Sequence, residues 1–331
     1  MLKFLVLADL HYKKGMYATT VGDLEAIMER AAREKVDFVV QLGDLCNDYL
    51  GSPEILRPFL KNRQDLPVYG VLGNHELESE SNSLEVVIPL LCNRPVIFAG
   101  EKKAYWYTDW DEYRLIALDT NHSYNEKLGL WEHYPTNSVG HPAGNIYPHA
   151  LGPEQLDWLD KVLSDADEKD QTCIIFTHAT LAGRWDETPD ADAFQAVLRK
   201  HPGRVLTVLN GHNHKDHHAI IDNVLYVDFN TVRNGRWRLE DAHHYTDELT
   251  FQLEGYDLQG NPTEVTPIPL NSLSQAINTW FFRDPLSAIV TVDGKTVTVE
   301  GSKTVWIHGI EPPNPPDGCY PQITDLNITL Q

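Results

Sequence analysis

Five apolar, β-rich runs in this chain each stop at residues of metal-ligand type. KFLVLA leads into Asp9 and His11, DFVVQL into Gly43-Asp44, LPVYGVL into Gly73-Asn74-His75, TCIIFT into His178, and RVLTVLN into Gly211-His212-Asn213-His214. Between them lie amphipathic stretches. Residues 20–35 predict a helix capped by Thr20, with Leu24, Ile27, Met28 and Ala31 on one face. Residues 53–64 predict a helix opened by Pro53, and 153–164 one opened by Pro153 with Leu156, Leu159, Val162 and Leu163 as its stripe. A further helix is expected over 191–200, and AYWYTDW and EYRLIALD read as an antiparallel pair turning at 109–112. Strands alternating with helices imply sheets flanked by helices, with ligands gathering beyond the carboxyl ends of the strands.

Taken singly, each strand end has an ordinary explanation. A lone Asp-x-His is commonly a surface hydrogen-bonding pair, Gly-Asp is a common turn, and an isolated histidine such as His178 is commonly an interior residue with satisfied bonds. Five of them after five apolar runs point to one centre. Side chains alternate along an extended segment, so Asp9 and His11, and likewise His212 and His214, point to one side and converge. Glycines 43, 73 and 211 each stand one residue before a candidate ligand, where the chain leaves a strand and an ion must come close to the backbone. Carboxylate, imidazole and amide donors suit a hard or borderline divalent metal.

The chain has 331 residues, enough for one large domain or a domain with an appendage, and the pattern changes near residue 250. We therefore expect a catalytic domain over 1–250 and a β-rich extension over 251–331, the latter marked by the IVTVDGKTVTVE hairpin signal with its Asp293-Gly294 turn. Residues 121–152, rich in His, Tyr, Asn, Pro and Gly, read as a lid or substrate-side insertion or as a surface excursion. Cys46, Cys92, Cys173 and Cys319 form no CxxC pair, so reduced thiols in a cytoplasm are expected. The apolar start is broken by Asp9 and reads as neither a signal peptide nor a membrane span. A formal charge of −21 without any Lys/Arg run disfavours a nucleic-acid polymer as partner and leaves small anions, provided that a metal supplies the positive field.

At these same residues the sequence resembles the calcineurin-like metallophosphoesterase superfamily, whose pattern is DxH, GD, GNH(E/D), a lone His and GHxH. It stands here as Asp9-Leu10-His11, Gly43-Asp44, Gly73-Asn74-His75-Glu76, His178 and Gly211-His212-Asn213-His214. The resemblance spans residues 1 to about 240. It implies an α+β fold, a four-layer α/β/β/α sandwich, with the C-terminal β extension outside its reach. It also implies two divalent or trivalent ions, Mn, Fe or Zn. One would be held by Asp9, His11, Asp44 and His214, the other by Asp44, Asn74, His178 and His212, with Asp44 shared. His75 would be the catalytic, substrate-facing residue, binding phosphate together with Asn74 or protonating the leaving oxygen. The phosphoprotein-phosphatase signature has an aspartate three residues after the bridging one, where this chain has Asn47, and the following Arg-Gly is also missing. YRLIALDT and LGPEQLDWLDKVL resemble the cyclic-nucleotide phosphodiesterase and ADP-ribose pyrophosphatase-like branches.

The implied function is hydrolysis of a small phosphodiester or nucleotide-type pyrophosphate by a hydroxide shared between the metals. The alternatives are a phosphomonoesterase on the same centre and a non-catalytic, metal-stabilised binding scaffold. Arg184, His217 and Tyr134 are candidates for the pocket rim; Lys215 and Arg233 read more simply as solvated surface, and His217 and His218 as a polar loop. Trp131, Tyr134 and Tyr147 could stack on a base or anchor the insertion.

Overall fold

A computed structural model of the chain describes residues 1–56, 66–77, 82–126, 129–133, 149–182, 188–237, 245–257, 260–276, 279–313, 315 and 317–331. The strands are β1 (Leu2–Leu7), β2 (Phe38–Gln41), β3 (Val68–Gly70), β4 (Ile97–Phe98), β5 (Trp106–Trp110), β6 (Tyr113–Ala117), β7 (His122–Asn125), β8 (Leu130–His133), β9 (Thr172–Thr177) and β10 (Val205–Asn210). They continue as β11 (His217–Ile221), β12 (Val224–Asp228), β13 (Asn234–Trp237), β14 (Thr250–Tyr256), β15 (Pro262–Pro269), β16 (Thr279–Phe281), β17 (Ala288–Asp293), β18 (Thr296–Gly301) and β19 (Leu326–Thr329). The α-helices among the described residues are α1 (Val21–Glu34), α2 (Leu84–Leu91), α3 (Pro153–Glu168) and α4 (Ala191–Lys200).

Two mixed sheets carry the fold. The first has the order β19-β18-β17-β1-β2-β3 and the second β11-β12-β10-β9-β6-β5-β4. Period-2 alternation sorts their side chains into layers. Phe4, Val6, Phe38, Val40, Leu115, Phe176 and Leu209 meet between the sheets, with Phe4 stacked on Phe38 at 4.7 Å and edge-on to Phe176 at 6.0 Å. The intervening residues face outward: Leu5, Leu7 and Val39 onto Leu24, Ile27 and Met28 of α1, and Ile116, Ile175 and Val208 onto α3 and α4. Full burial of each such side chain contributes about 1.5–3 kcal/mol, so the order helix, sheet, sheet, helix follows from the strand pattern. This is the expected four-layer α+β sandwich.

Helix α1 begins as the sequence predicts, with a reciprocal box between Thr20 and Asp23: the Asp23 amide donates to Thr20 Oγ1 at 3.1 Å and the Thr20 amide to Asp23 Oδ2 at 2.8 Å. Of the helix expected over 53–64, Pro53–Leu56 form a 3-10 turn and the rest lies outside the described residues. Helix α2 is unanticipated, because Val86, Val87, Ile88 and Pro89 all disfavour helix; burial of Val87 and Leu91 against the first sheet outweighs that propensity. The described residues of the 121–152 insertion include the β7–β8 hairpin, with Tyr124 facing Trp131; Tyr134 and Tyr147 lie outside the described residues.

The segment from about residue 250 onward contributes strands β14 to β19, and part of it is built into the first sheet. β17 pairs antiparallel along β1, from Leu2↔Val292 to Val6↔Ala288, and β18 and β19 extend that sheet. The parallel strands β1, β2 and β3 on one sheet, and β9 and β10 on the other, bring their carboxyl ends to one edge of the sandwich.

Candidate metal centre

The loops leaving these five strands are tied to one another before any side chain is considered. The Asp9 amide donates to the Gly43 carbonyl at 3.2 Å, the His11 amide to the Asp44 carbonyl at 2.8 Å, and the Gly211 amide to the His178 carbonyl at 3.1 Å. Asp9, His11, Asp44, His212 and His214 all have left-handed backbone, with φ of 55, 51, 54, 68 and 50°. Non-glycine residues adopt that region seldom and at a cost, so its concentration at one spot marks a place where side-chain direction is under constraint. Gly43, at φ +96°, lies where a Cβ would stand 2.4 Å from His178 Nδ1; at Gly211 a Cβ would stand 2.4 Å from Asp9 Oδ2.

The side chains form three overlapping groups: Asp9, His11 and His214; His11, Asp44 and His75; and Asp44, His178 and His212. His11 Nε2 faces His214 Nε2 at 3.0 Å, and His178 Nε2 faces both His212 Nδ1 at 3.2 Å and Asn74 Oδ1 at 3.0 Å. Asp44 Oδ2 stands between the groups, 3.7 Å from His11 Nε2 and 3.2 Å from His178 Nε2. Donors bound at about 2.1 Å to one ion are themselves about 3.0–3.4 Å apart, which is the spacing found. Two of the rings have their free nitrogen selected for them. His178 Nδ1 donates to the Leu42 carbonyl at 2.8 Å and His214 Nδ1 to the Asn234 carbonyl at 2.7 Å, which leaves each Nε2 lone pair directed inward.

Burial holds His11 and His212 well below the usual histidine range, so both rings are neutral donors. Burial also opposes charge on Asp44 and His178, but their mutual attraction wins: Asp44 is held well below the carboxylate range and His178 is raised to about 10.

His75 lies in a short 3-10 turn, its amide donating to Asp44 Oδ1 at 2.8 Å and its ring Nε2 3.8 Å from Asp44 Oδ2. Asn47 Nδ2 lies 3.2 Å from His75 Nδ1, so the ring is oriented by a neutral amide.

Two neighbours of the centre escaped sequence reasoning. Glu76, fully buried, accepts amide N–H bonds from Gly73 at 2.7 Å, Asp44 at 2.9 Å, Leu45 at 2.5 Å and Cys46 at 3.4 Å. Burial, then Asp44, push its carboxyl up to about 7. Its position inside Gly73-Asn74-His75-Glu76 was the available signal. Glu76→Gln keeps the size but turns an amide NH₂ toward N–H donors; kcat/KM is expected to fall about 10–100-fold with circular dichroism unchanged. An unaltered rate would remove Glu76 from any role in setting the 43–46 loop. His149, also buried, lays its ring 4.2 Å from that of His212. Nothing in its spacing distinguished it from His122, His133 and His141.

Other expectations change. His217 is in a strand, with its ring against Asp228 on the outer face of the second sheet, rather than in a rim loop, and His218 is exposed beside it. Arg233 is buried and paired with Asp23 at 3.2 Å, tying α1 to the chain beyond residue 280 through the Phe282 and Arg283 carbonyls. Asp119, read from the sequence as supporting structure rather than as a ligand, is buried and accepts from His133 at 3.0 Å and from the Asn121 amide at 2.9 Å. Arg184 lies outside the described residues.

Comparison with known proteins points to the same class of chemistry. The profile of a family described as calcineurin-like phosphoesterase matches residues 2–216. Over 279 residues the chain is 24% identical to a manganese-dependent ADP-ribose/CDP-alcohol diphosphatase of Xenopus tropicalis, covering 66% of this chain and 80% of that protein. A protein of the same description from Arabidopsis thaliana is 26% identical over 211 residues, 54% of this chain and 65% of its own length. In structure the chain is similar to a dimetal phosphatase from Danio rerio, with TM-score 0.61, 17% identity and coverage of 100% of this chain and 99% of that one. A purple acid phosphatase from Lupinus luteus gives TM-score 0.52 at 15% identity, covering 99% of this chain and 53% of that one. The two structures share the fold.

Proposed function

Because the chain belongs to the calcineurin-like phosphoesterase family, we propose that it is a dinuclear-metal phosphohydrolase acting on nucleotide-type pyrophosphates and small phosphodiesters. The observation that carries this reading is the position of Asp44 Oδ2 between two donor groups of imidazole, carboxylate and amide. On this reading Asp9, His11, Asp44 and His214 hold one ion and Asp44, Asn74, His178 and His212 the other. The donor set fits: its spacing is that of ligands sharing an ion, and two ring tautomers are preselected. Manganese is supported by relatives described as manganese-dependent. Ions held there would supply Lewis-acid charge to a phosphoryl group and lower the pKa of a water nucleophile.

The chain's own residues do the rest. Only Asp9 and Asp44 among the proposed ligands carry charge, which leaves a loaded centre net positive and attractive to a phosphoanion despite the overall charge of −21. His75, with Asn47 against Nδ1, presents Nε2 beside Asp44 and donates a hydrogen bond or a proton to a phosphoryl or leaving oxygen. Glu76 fixes the backbone amides that aim Asp44.

Relatives described as ADP-ribose/CDP-alcohol diphosphatases support the pyrophosphate linkage as the bond cleaved. The test is turnover by manganese-loaded protein of ADP-ribose, a CDP-alcohol, a cyclic nucleotide, bis-p-nitrophenyl phosphate and p-nitrophenyl phosphate. The pyrophosphates should exceed the monoester in kcat/KM by at least about 10-fold. The reverse order establishes the phosphomonoesterase alternative, and no turnover with manganese, iron or zinc sinks the enzyme reading in favour of a scaffold. A cytoplasmic setting is the reading supported by Cys46, Cys92, Cys173 and Cys319 lying far apart in sequence with no CxxC pair among them. Among the described residues no helix is long and apolar enough to cross a membrane.

A further inference from the structure

Outside the centre, two buried polar side chains on the second sheet, Asn210 and Asp228, carry acceptor oxygens without the donors that burial demands. Asn210 at the end of β10 is the register partner of Asp228 at the end of β12, and Asp228 is the register partner of His217 at the start of β11. Register partners project to the same face, so the three stand side by side on the outer face of the sheet. Asn210 is 0% and Asp228 2% exposed. Both carboxylate oxygens of Asp228 and the amide oxygen of Asn210 are without a hydrogen-bond donor. Asn210 Nδ2 is already engaged with the Gly211 carbonyl at 3.1 Å, so what it offers the row is an acceptor.

Acceptors without donors, buried together, are what a buried carboxylate can least tolerate. Among the described residues only His217 comes within ion-pair reach of Asp228, its Nδ1 3.5 Å from Oδ2. That separation is too long for a hydrogen bond, yet it is close to what two donors on a common ion at about 2.1 Å would show. We infer that Asp228, His217 and Asn210 form a third cation site, separate from the dinuclear centre, for a divalent ion of borderline class such as Mn²⁺ or Zn²⁺. One carboxylate, one imidazole nitrogen and one amide oxygen form a mixed N/O set of that preference. The half-buried His217 ring marks the side from which the ion enters.

The position gives the site a purpose. β10 runs on directly into Gly211, His212 and His214, and β11 begins three residues after His214. An ion joining Asn210, Asp228 and His217 therefore clamps both ends of the loop that carries two residues of the centre. Asn213 in that loop also has its side-chain amide atoms buried without partners, consistent with a segment whose polar groups are not satisfied by protein alone.

The test is manganese titration of the full chain, read by metal analysis and by electron paramagnetic resonance, in which an isolated Mn²⁺ is distinguished from a spin-coupled pair. Wild-type protein should saturate at about three ions per chain, with an uncoupled signal beside the coupled one. Asp228→Asn should lose the uncoupled signal and about one equivalent. His217→Ala, at a half-buried strand start, should weaken that ion at least about 10-fold and serves equally if the first variant does not fold. Asp44→Ala should lose the coupled signal and keep the uncoupled one. Wild-type protein saturating without an uncoupled signal, or an uncoupled signal unchanged in the Asp228 and His217 variants, overturns the inference. A missing coupled signal with the uncoupled one present would instead refute the dinuclear reading and leave this site standing.

Discussion

Asp44→Asn is expected to lower kcat/KM by at least about 10³-fold and to remove both ions from the centre, with the fold retained. Asparagine has the shape of aspartate, so the hydrogen bond from the His75 amide to Oδ1 can persist. What disappears is the charge at Oδ2, the atom that lies within 3.7 Å of His11 Nε2 and 3.2 Å of His178 Nε2. With Asp9 as the remaining carboxylate of the two groups, two dications would face each other with half the compensating charge. Affinity for the second ion should fail first, and turnover with it. Metal content after gel filtration and initial rates on a pyrophosphate substrate check this together; a variant with full metal content and near-normal rate would show that Asp44 is not the shared ligand.

Gly73→Ala is expected to cost about 10²–10³-fold in kcat, although it adds one methyl group and leaves every proposed ligand in place. A Cβ at this position would lie 2.2 Å from Asp44 Oδ1, 2.3 Å from the Asp44 amide nitrogen and 2.7 Å from Glu76 Oε2. A flexible side-chain end could swing aside, but the Asp44 amide is backbone and is held by Glu76. The loop after β3 must therefore move away from the loop after β2, and Asn74 and Asp44 separate. Gly203→Ala is the control: it lies at φ +77° with no atom near the added carbon, so it should show strain of about 1 kcal/mol in thermal unfolding and an unchanged rate. Equal rates for the two variants would mean that the spacing of these loops does not govern the chemistry.

The layers and the strand ends were readable because each is enforced locally. Alternation in KFLVLA or TCIIFT specifies two faces whatever the partner, and the polar residues that follow Leu7, Gln41, Gly70, Thr177 and Asn210 can only emerge at the strand's carboxyl end. Helix α1 carries its own start signal at Thr20. Contacts assembled from distant segments were not readable. Glu76 has meaning only when the 43–46 loop lies over it, His149 only when the insertion returns to His212, and Arg233 only when Asp23 on α1 stands opposite. Helix α2 was hidden for a related reason, since burial of Val87 and Leu91 overrides β-branched residues and a proline. The four histidines around 212–218 show both sides of this: two converge on the centre, while strand pairing with β12 sends His217 to the far face.

The antiparallel pairing of β17 with β1 has a consequence for how the molecule is made. Phe4 sits beside Val290 in the sheet, so the strand that presents Asp9 and His11 is completed by residues that leave the ribosome hundreds of steps later. Until then β1 has one open edge, and the inter-sheet layer lacks Ala288, Val290 and Val292. Closing so long a loop is slow, and an exposed apolar edge in the interval is prone to stray pairing. Synthesis in the cell should thus depend on a holding chaperone more than the size of the chain suggests, and ribosome-bound chains halted before residue 288 should remain protease-sensitive throughout the first sheet.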